Sequence, residues 1–380
     1  MKKICIVSGS RAEWGLLSRF AGFIKSDSEL QLQIIVTNMH LIERYGYTYK
    51  EIEQDGFEVS FKVPMDIDGD NANAIVKSMG KGIDGFADAY EKLQPDILVV
   101  LGDRYEILAA VTAALIYKIP VAHLHGGEIT EGAYDDAIRH AITKMSHLHF
   151  TSTEEYRHRV IQMGEQPDTV FNVGAIGVDN IKHLTLWNRT ETEKSLGGFF
   201  VNKQTILVTY HPVTLEDNTA EKQIDELLSA LDAVKELRII FTMPNSDTDN
   251  RIIAEKIQNW CNKNSDRAIW FTSLGQKRYF SVLQYIGGVV GNSSSGIIEV
   301  PSFGIPAINI GDRQKGRVAA KSVINCLPRK NELIEKLLLL LHYRQVKGNE
   351  NPYYQSDTAR KVYLIVKNHA VSLQKRFYNL

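Results

Sequence analysis

The chain has 380 residues, 44% hydrophobic and 23% charged, with a formal net charge of -1. That length exceeds what one hydrophobic core usually organises, so two domains are expected. The balanced charge excludes the strongly basic surface that nucleic acid or an anionic membrane requires, and leaves open the local capture of a small anion.

Three cysteines, Cys5, Cys261 and Cys326, are far apart and odd in number. They read as buried thiols in a reducing cytoplasm, not as a disulfide frame or zinc knuckle. Residues 1–8 run straight into a strand with too short an apolar run for a secretory leader, and no stretch is long enough to span a bilayer. A soluble cytoplasmic protein is expected.

Residues 3–7 form an apolar run closed by Ser8-Gly9-Ser10, the pattern of a buried strand and turn. Arg11 follows, and residues 12–25 space Trp14, Leu17, Phe20 and Ile24 as one helical face. A strand, a small-residue turn and a helix start beside an Arg suit a diphosphate, because free amides, the helix dipole and the guanidinium all face the anion. The glycine pattern of a dinucleotide fingerprint is missing, so an ordinary turn with a solvated Arg is the alternative.

Strands are then predicted at 32–37, 57–63, 97–101, 121–124, 148–151 and 170–173. Helices alternate with them at 41–54, 73–93, 106–117, 135–146 and 154–163. Such a series with short connections means a doubly wound parallel sheet. Residues 185–204 lose the periodicity and read as a link between domains. A second series places strands at 205–209, 238–242, 269–272, 288–290, 307–310 and 323–327, with helices at 221–235, 250–262, 277–285, 295–300 and 331–342. A last helix, 357–375, returns to the first domain. The fold class is therefore α/β, with two doubly wound Rossmann-like domains, 1–184 joined by 357–380 and then 205–350, facing a cleft.

Polar clusters end the strands of this scheme, where parallel sheets bind ligands. Asp103, Glu128, Asp135 and Asp136 crowd carboxylates together near Arg104, Arg139, His123, His125 and His140. Crowded carboxylates cannot all ionise cheaply, so one is expected to accept a proton while another donates it. Asp135 and Asp136 also suit a helix N-cap. His123 and His125 flank Leu124, so both are expected on one strand face, where they would suit a metal, although Arg104 and Arg139 would repel a cation.

In the second series, His211 follows a strand within Thr-Tyr-His-Pro, and Asn245 does so within Thr-Met-Pro-Asn. The run Gly-Asn-Ser-Ser-Ser-Gly at 291–296 feeds small polar residues into a helix that carries Glu299. Hydroxyls and amides there suit a diphosphate, and the carboxylate suits a ribose diol. Arg313 and Arg317 add guanidinium groups at the next strand end.

Taken together, GSRAEWG at 9–15, LGDRYE at 101–106, HLHGGE at 123–128, DDAIRHAITKMSHLHF at 135–150, TSTEEYRHRV at 151–160, GNSSSGIIEVPSFG at 291–304 and NIGDRQKGR at 309–317 carry a likeness. The chain resembles the hydrolysing UDP-N-acetylglucosamine 2-epimerases of sialic-acid synthesis, particularly those of bacterial capsule pathways. The resemblance implies the two-domain glycosyltransferase-B architecture, a homodimer or homotetramer, and neither a redox cofactor nor a catalytic metal. It implies UDP-N-acetylglucosamine as substrate, with UDP and N-acetylmannosamine as products.

By the same likeness, Arg11, Ser293 and Ser294 would grip the diphosphate, Glu299 the ribose, and the surroundings of Phe271 the uracil. His211, Asn245 and Arg313 would line the cleft, and Asp103 with Asp135 or Asp136 would act at the sugar. In some relatives a catalytic glutamate stands at the position of His125, and here the carboxylate nearest in sequence is Glu128. A sister enzyme acting on a UDP-2,4-diacetamido-trideoxyhexose, a glycosyltransferase of the same fold and a histidine-ligated metal hydrolase are the alternatives.

Overall fold

The computed structural model describes residues 1–65, 69, 71–216, 219–244, 249–343 and 351–380. Its first sheet contains β1 (Lys2–Ser8), β2 (Leu30–Thr37), β3 (Phe61–Val63), β4 (Ile97–Leu101), β5 (Val121–Leu124), β6 (Leu148–Thr151) and β7 (Val170–Asn172), in the order β3-β2-β1-β4-β5-β6-β7. Every pair is parallel. Burial on both faces explains the unbroken apolar runs. Along β1, Ile4 and Ile6 enter one core cluster with Trp14, Leu17 and Phe20, while Cys5 and Val7 enter another with Phe86 and Val100.

The second sheet contains β8 (Thr205–Thr209), β9 (Arg238–Thr242), β10 (Ala268–Phe271), β11 (Gly288–Gly291), β12 (Ala307–Ile310) and β13 (Val323–Cys326). Its order is β10-β9-β8-β11-β12-β13, again parallel throughout. Both sheets thus repeat the 3-2-1-4-5-6 winding, the first with an added edge strand. Gly291 adopts φ +141°, and a Cβ there would lie 1.8 Å from the Thr209 carbonyl oxygen, so only glycine lets β11 end so close to β8.

The chain divides into two compact units: unit 1 is Met1–Glu128, Asp135–Lys182 and Tyr353–Leu380, and unit 2 is Ile129–Tyr134 and His183–Pro352. The sequence reading runs the first domain unbroken through 184, whereas the six residues 129–134 fall in unit 2. There the Glu131 N–H donates to the Lys315 carbonyl at 3.3 Å and the Tyr134 N–H to Thr214 Oγ1 at 3.1 Å. Within unit 1, the helix Thr358–Asn368 packs on the helix Arg11–Lys25, burying Ala359, Val362 and Val366.

Several local expectations are corrected. The stretch read as a featureless link holds a helix, Arg189–Ser195, started by a capping box between Asn188 and Glu191. Residues 57–60 are not strand, since only Phe61–Val63 pairs with β2. The helix expected over 41–54 is confined to Tyr49–Gln54, after two short 3-10 turns. The last helix stops at Asn368, and the chain beyond it docks through Lys375 Nζ, which donates to the Lys144 and Ser146 carbonyls. No helix among the described residues is long and apolar enough to cross a membrane.

Candidate active site

Each sheet reverses its winding between its first and fourth strands, β1 and β4 in unit 1 and β8 and β11 in unit 2. Connections leave these neighbours in opposite directions, which opens the strand ends to a ligand. The side chains gathered at the two edges differ in kind.

In unit 1 the hub is Arg139, on the helix Asp135–Met145 and only 1% exposed. Its Nη1 donates to the Glu128 carbonyl at 2.9 Å and to Asp136 Oδ1 at 3.1 Å, while Nη2 donates to Asp103 Oδ2. A buried guanidinium is tolerable because anionic and carbonyl oxygens offset its lost hydration. One cation therefore gathers Asp103 from the end of β4 and Asp136 from the helix. Asp135 is buried beside them, and His140 Nε2 lies 3.4 Å from Asp136 Oδ2. Arg104 does not pair with its neighbour Asp103; its Nε donates to Glu106 Oε1 at 2.9 Å.

Glu128 is 2% exposed, and its Oε1 accepts from Ser152 Oγ at 2.7 Å and lies 2.8 Å from His125 Nδ1. His125 itself has φ +66°, a left-handed conformation costly for a residue with a Cβ, and it follows β5 instead of belonging to it. Its Nε2 is buried without a hydrogen-bond partner.

The expectation that His123 and His125 share a strand face is thus overturned, because the backbone leaves the strand between them. His123 stays in β5, with Nε2 2.7 Å from the Gly102 carbonyl and Nδ1 3.2 Å from Thr143 Oγ1. Burial lowers its pKa to about 3, so the ring is neutral and donates Nε2–H to that carbonyl, bracing the turn that presents Asp103. Among the described residues no group of three or more His, Cys, Asp or Glu side chains is placed to hold a metal ion.

The β1 end leads through Ser10, whose side chain accepts the Glu13 N–H, into the helix Arg11–Lys25. Arg11 heads that helix, with Nε 2.7 Å from Glu51 Oε2.

Unit 2 builds its edge largely around a neutral group, Asn292, with the Arg313 guanidinium joining it. Asn292, fully buried after β11, donates from Nδ2 to the His211 carbonyl and accepts the His211 N–H on Oδ1, both at 2.7 Å. Its own carbonyl accepts from Arg313 Nη1 at 3.1 Å and from Gln314 Nε2 at 3.0 Å. One asparagine therefore ties together the loops after β8, β11 and β12. His211 is 5% exposed. Thr209 and Thr242 bridge the ends of β8 and β9, their hydroxyl oxygens 2.5 Å apart.

Ser293 and Ser294 follow Asn292, half-buried, and Ser295 Oγ lies 2.7 Å from the Tyr279 hydroxyl. The helix expected over 295–300 is a single α-turn, Ser295–Ile298, followed by a 3-10 turn, Val300–Phe303, because Pro301 supplies no amide donor. Glu299 sits between them, 9% exposed. Phe271 ends β10 under the Arg278 guanidinium, 5.5 Å from its ring centre. Asn245 lies outside the described residues.

Reasoning from sequence missed Asn292, Ser152, Glu13 and Glu106 as parts of these edges. Asn292 stands inside a motif already singled out, but its partners are remote in sequence and it lies among small polar residues, so nothing local marked it.

The family model described as UDP-N-acetylglucosamine 2-epimerase matches residues 23–367. A Campylobacter jejuni protein, GDP/UDP-N,N'-diacetylbacillosamine 2-epimerase (hydrolyzing), is 46% identical over 324 residues, covering 85% of this chain and 84% of its own. Polysialic acid biosynthesis protein P7 of Escherichia coli is 40% identical over 381 residues, covering 99% and 96%. The solved UDP-GlcNAc 2-epimerase of Methanocaldococcus jannaschii, in complex with UDP-GlcNAc and UDP, superposes with a TM-score of 0.79 at 20% identity, covering 96% of this chain and 99% of that one. With the two parallel sheets and the matched length, these findings place the chain in the UDP-N-acetylglucosamine 2-epimerase family of UDP-sugar enzymes.

Proposed function

We propose that the protein converts UDP-N-acetylglucosamine and water to UDP and N-acetylmannosamine, a hydrolysing 2-epimerisation that feeds sialic-acid synthesis. The observation that carries this reading is the Arg139 hub, which gathers Asp103, Asp136 and the Glu128 carbonyl at one strand-end edge.

The C2 hydrogen of the sugar has no adjacent carbonyl and is barely acidic, so direct inversion is unattractive. Loss of UDP from C1 builds positive charge on the ring and makes departure of the C2 proton feasible. The reaction is then elimination of UDP to 2-acetamidoglucal. Water next adds across the double bond, its hydroxyl at C1 and a proton on the opposite face of C2.

Asp103, Glu128, Asp135 and Asp136, with His125 beside Glu128, are assigned the proton transfers, each worth about 10²–10⁴-fold. Arg139 holds Asp103 and Asp136 in place, and Arg104 and Arg139 are assigned to the substrate. Arg11, Ser293 and Ser294 are assigned to the departing diphosphate, whose growing charge preorganised donors stabilise. Glu299 is assigned to the ribose, Phe271 to the uracil, and His211, Asn245 and Arg313 to the remaining contacts of the nucleotide sugar. A homodimer or homotetramer working in the cytoplasm, without a cofactor, goes with this reading.

The names of relatives favour a second substrate. The Campylobacter jejuni relative is named for diacetylbacillosamine, and a UDP-2,4-diacetamido sugar would undergo the same elimination and hydration. Incubating each UDP-sugar separately in D2O, without an acceptor, and following products by NMR tests both readings. Release of free N-acetylmannosamine carrying deuterium at C2 is expected. Product lacking that deuterium ends the elimination mechanism, and turnover of the diacetamido sugar alone transfers the assignment to it. A requirement for an acceptor would make the enzyme a transferase.

A further inference from the structure

Two carboxylates lie beneath the ends of β1 and β4. Glu106 is fully buried and Glu13 is 6% exposed. They bracket Gly9: its N–H donates to Glu13 Oε2 at 2.6 Å, and a Cβ on Gly9 would lie 2.6 Å from Glu106 Oε1. That Glu106 oxygen also accepts from Arg104 Nε, whereas Glu106 Oε2 is buried with no hydrogen-bond partner.

The charged groups nearby do not balance two anions. Asp103 adds another carboxylate, engaged by Arg139, and Arg11 at the head of the following helix is paired with Glu51. From the other side, the His40 N–H donates to the Gly9 carbonyl, and its ring lies between Ser8 Oγ and Thr48 Oγ1. Burial lowers the His40 pKa to about 4, so this ring supplies no positive charge at neutral pH. Among the described residues Arg104 is the cation that faces both carboxylates, and an uncompensated buried anion is expensive.

We propose that Glu13 is a protonated, neutral carboxylic acid at neutral pH, the uncharged member of a buried pair with Glu106, and that this neutrality lets the turn Gly9-Ser10-Arg11 accept a diphosphate. Glu13 is a positioning residue; it touches the turn and not the ligand. The proposal rests on the assignment of this turn to the diphosphate. Burial and then the Glu106 charge raise the Glu13 pKa to about 8, in keeping with a proton retained at neutral pH. Ionisation would set a second negative charge directly behind an anion site, so nucleotide affinity falls as pH rises through that value.

The experiment has two readouts on the full chain. Infrared difference spectra of the parent against Glu13→Gln and Glu106→Gln at pH 7 report the C=O stretch of a buried carboxylic acid. The band is expected in the parent, absent in Glu13→Gln, and bleached in the parent as pH passes about 8. UDP titration by calorimetry between pH 7 and 10 is the second. The parent Kd is expected to weaken about tenfold per pH unit above the transition, while that of Glu13→Gln stays flat. KM follows Kd and kcat changes little.

A missing acid band overturns the proposal outright. A band present with identical pH profiles in parent and Glu13→Gln keeps the buried acid but removes the diphosphate from this turn, overturning the link to binding. Glu106→Gln serves as the second variant, because removing the like charge should shift the bleaching to lower pH.

Discussion

Units 1 and 2 carry the same 3-2-1-4-5-6 strand order, yet their strand-end edges are built from opposite materials. Unit 1 packs ions, with Arg139 against Asp103 and Asp136 and Arg104 against Glu106, beside a hydrogen bond between Glu128 and His125. Unit 2 packs mainly dipoles, with the Asn292 amide on the His211 backbone, Thr209 against Thr242, Ser295 against the Tyr279 hydroxyl, and the Arg313 guanidinium on the Asn292 carbonyl. The contrast teaches that winding order decides where a ligand site can form, while side-chain chemistry decides what it can do. Buried ions suit moving protons; neutral donors suit holding a ligand whose charge is already present.

The sharpest way to break this comparison is Asp103→Asn. If unit 1 supplies the proton chemistry, kcat falls by about 10²–10⁴-fold, while calorimetry leaves the UDP Kd within about threefold, under one kcal/mol. Surviving activity would make the ionic edge a structural feature.

Asn292→Ala probes the opposite edge. It strands the His211 N–H and carbonyl, at about 1–3 kcal/mol for each buried group left unmade. A lower Tm and a KM raised about tenfold, with kcat changed far less, are expected. An equal fall in kcat would mean that unit 2 does more than hold.

Ion packing in unit 1 also predicts acid lability. Glu165 is 2% exposed and meets His149 Nε2 at 3.0 Å, Lys144 Nζ at 2.5 Å and Lys375 Nζ at 2.8 Å. Burial pushes its carboxyl up, but the hydrogen bond from His149 and those from the two lysines outweigh burial and bring it down to about 2. His149 is driven toward the neutral form, chiefly by burial, so Lys144 and Lys375 carry the balancing charge and the imidazole acts as a neutral donor. A depressed carboxyl contributes stability that is complete above pH 4.5 and is lost as pH falls through about 2. The Tm advantage of the parent over Glu165→Gln should therefore shrink between pH 4.5 and 2. A constant difference would refute the ionic account.

The smallest expected effect is at the head of the first helix. Glu51→Gln removes the Arg11 partner at the protein surface, where such pairs are worth about 0–1 kcal/mol. A UDP Kd tightened by up to about threefold is expected; weakening would mean that Glu51 orients Arg11 toward its ligand.

Legibility was uneven, and particular residues show why. Spacing exposed the face of Trp14, Leu17, Phe20 and Ile24, since periodic burial leaves its mark in the amino-acid order. Polar residues after each strand located both edges for the same reason. Pairings escaped it: Arg104 adjoins Asp103 yet binds Glu106, and Arg139 reaches across to Asp103. Alternation puts His123 and His125 on one face, and the left-handed backbone at His125 separates them.

From its order of residues alone, the chain settled its two βα series, the apolar strands and the polar groups at their ends, because short-range periodicity and turn chemistry act locally. Only the tertiary structure decided which oxygen meets Arg139, which backbone Asn292 clamps, and that residues 129–134 belong with unit 2. Those outcomes depend on hydrogen-bond geometry between segments far apart in the chain, where orientation and desolvation select one partner among several of equal charge.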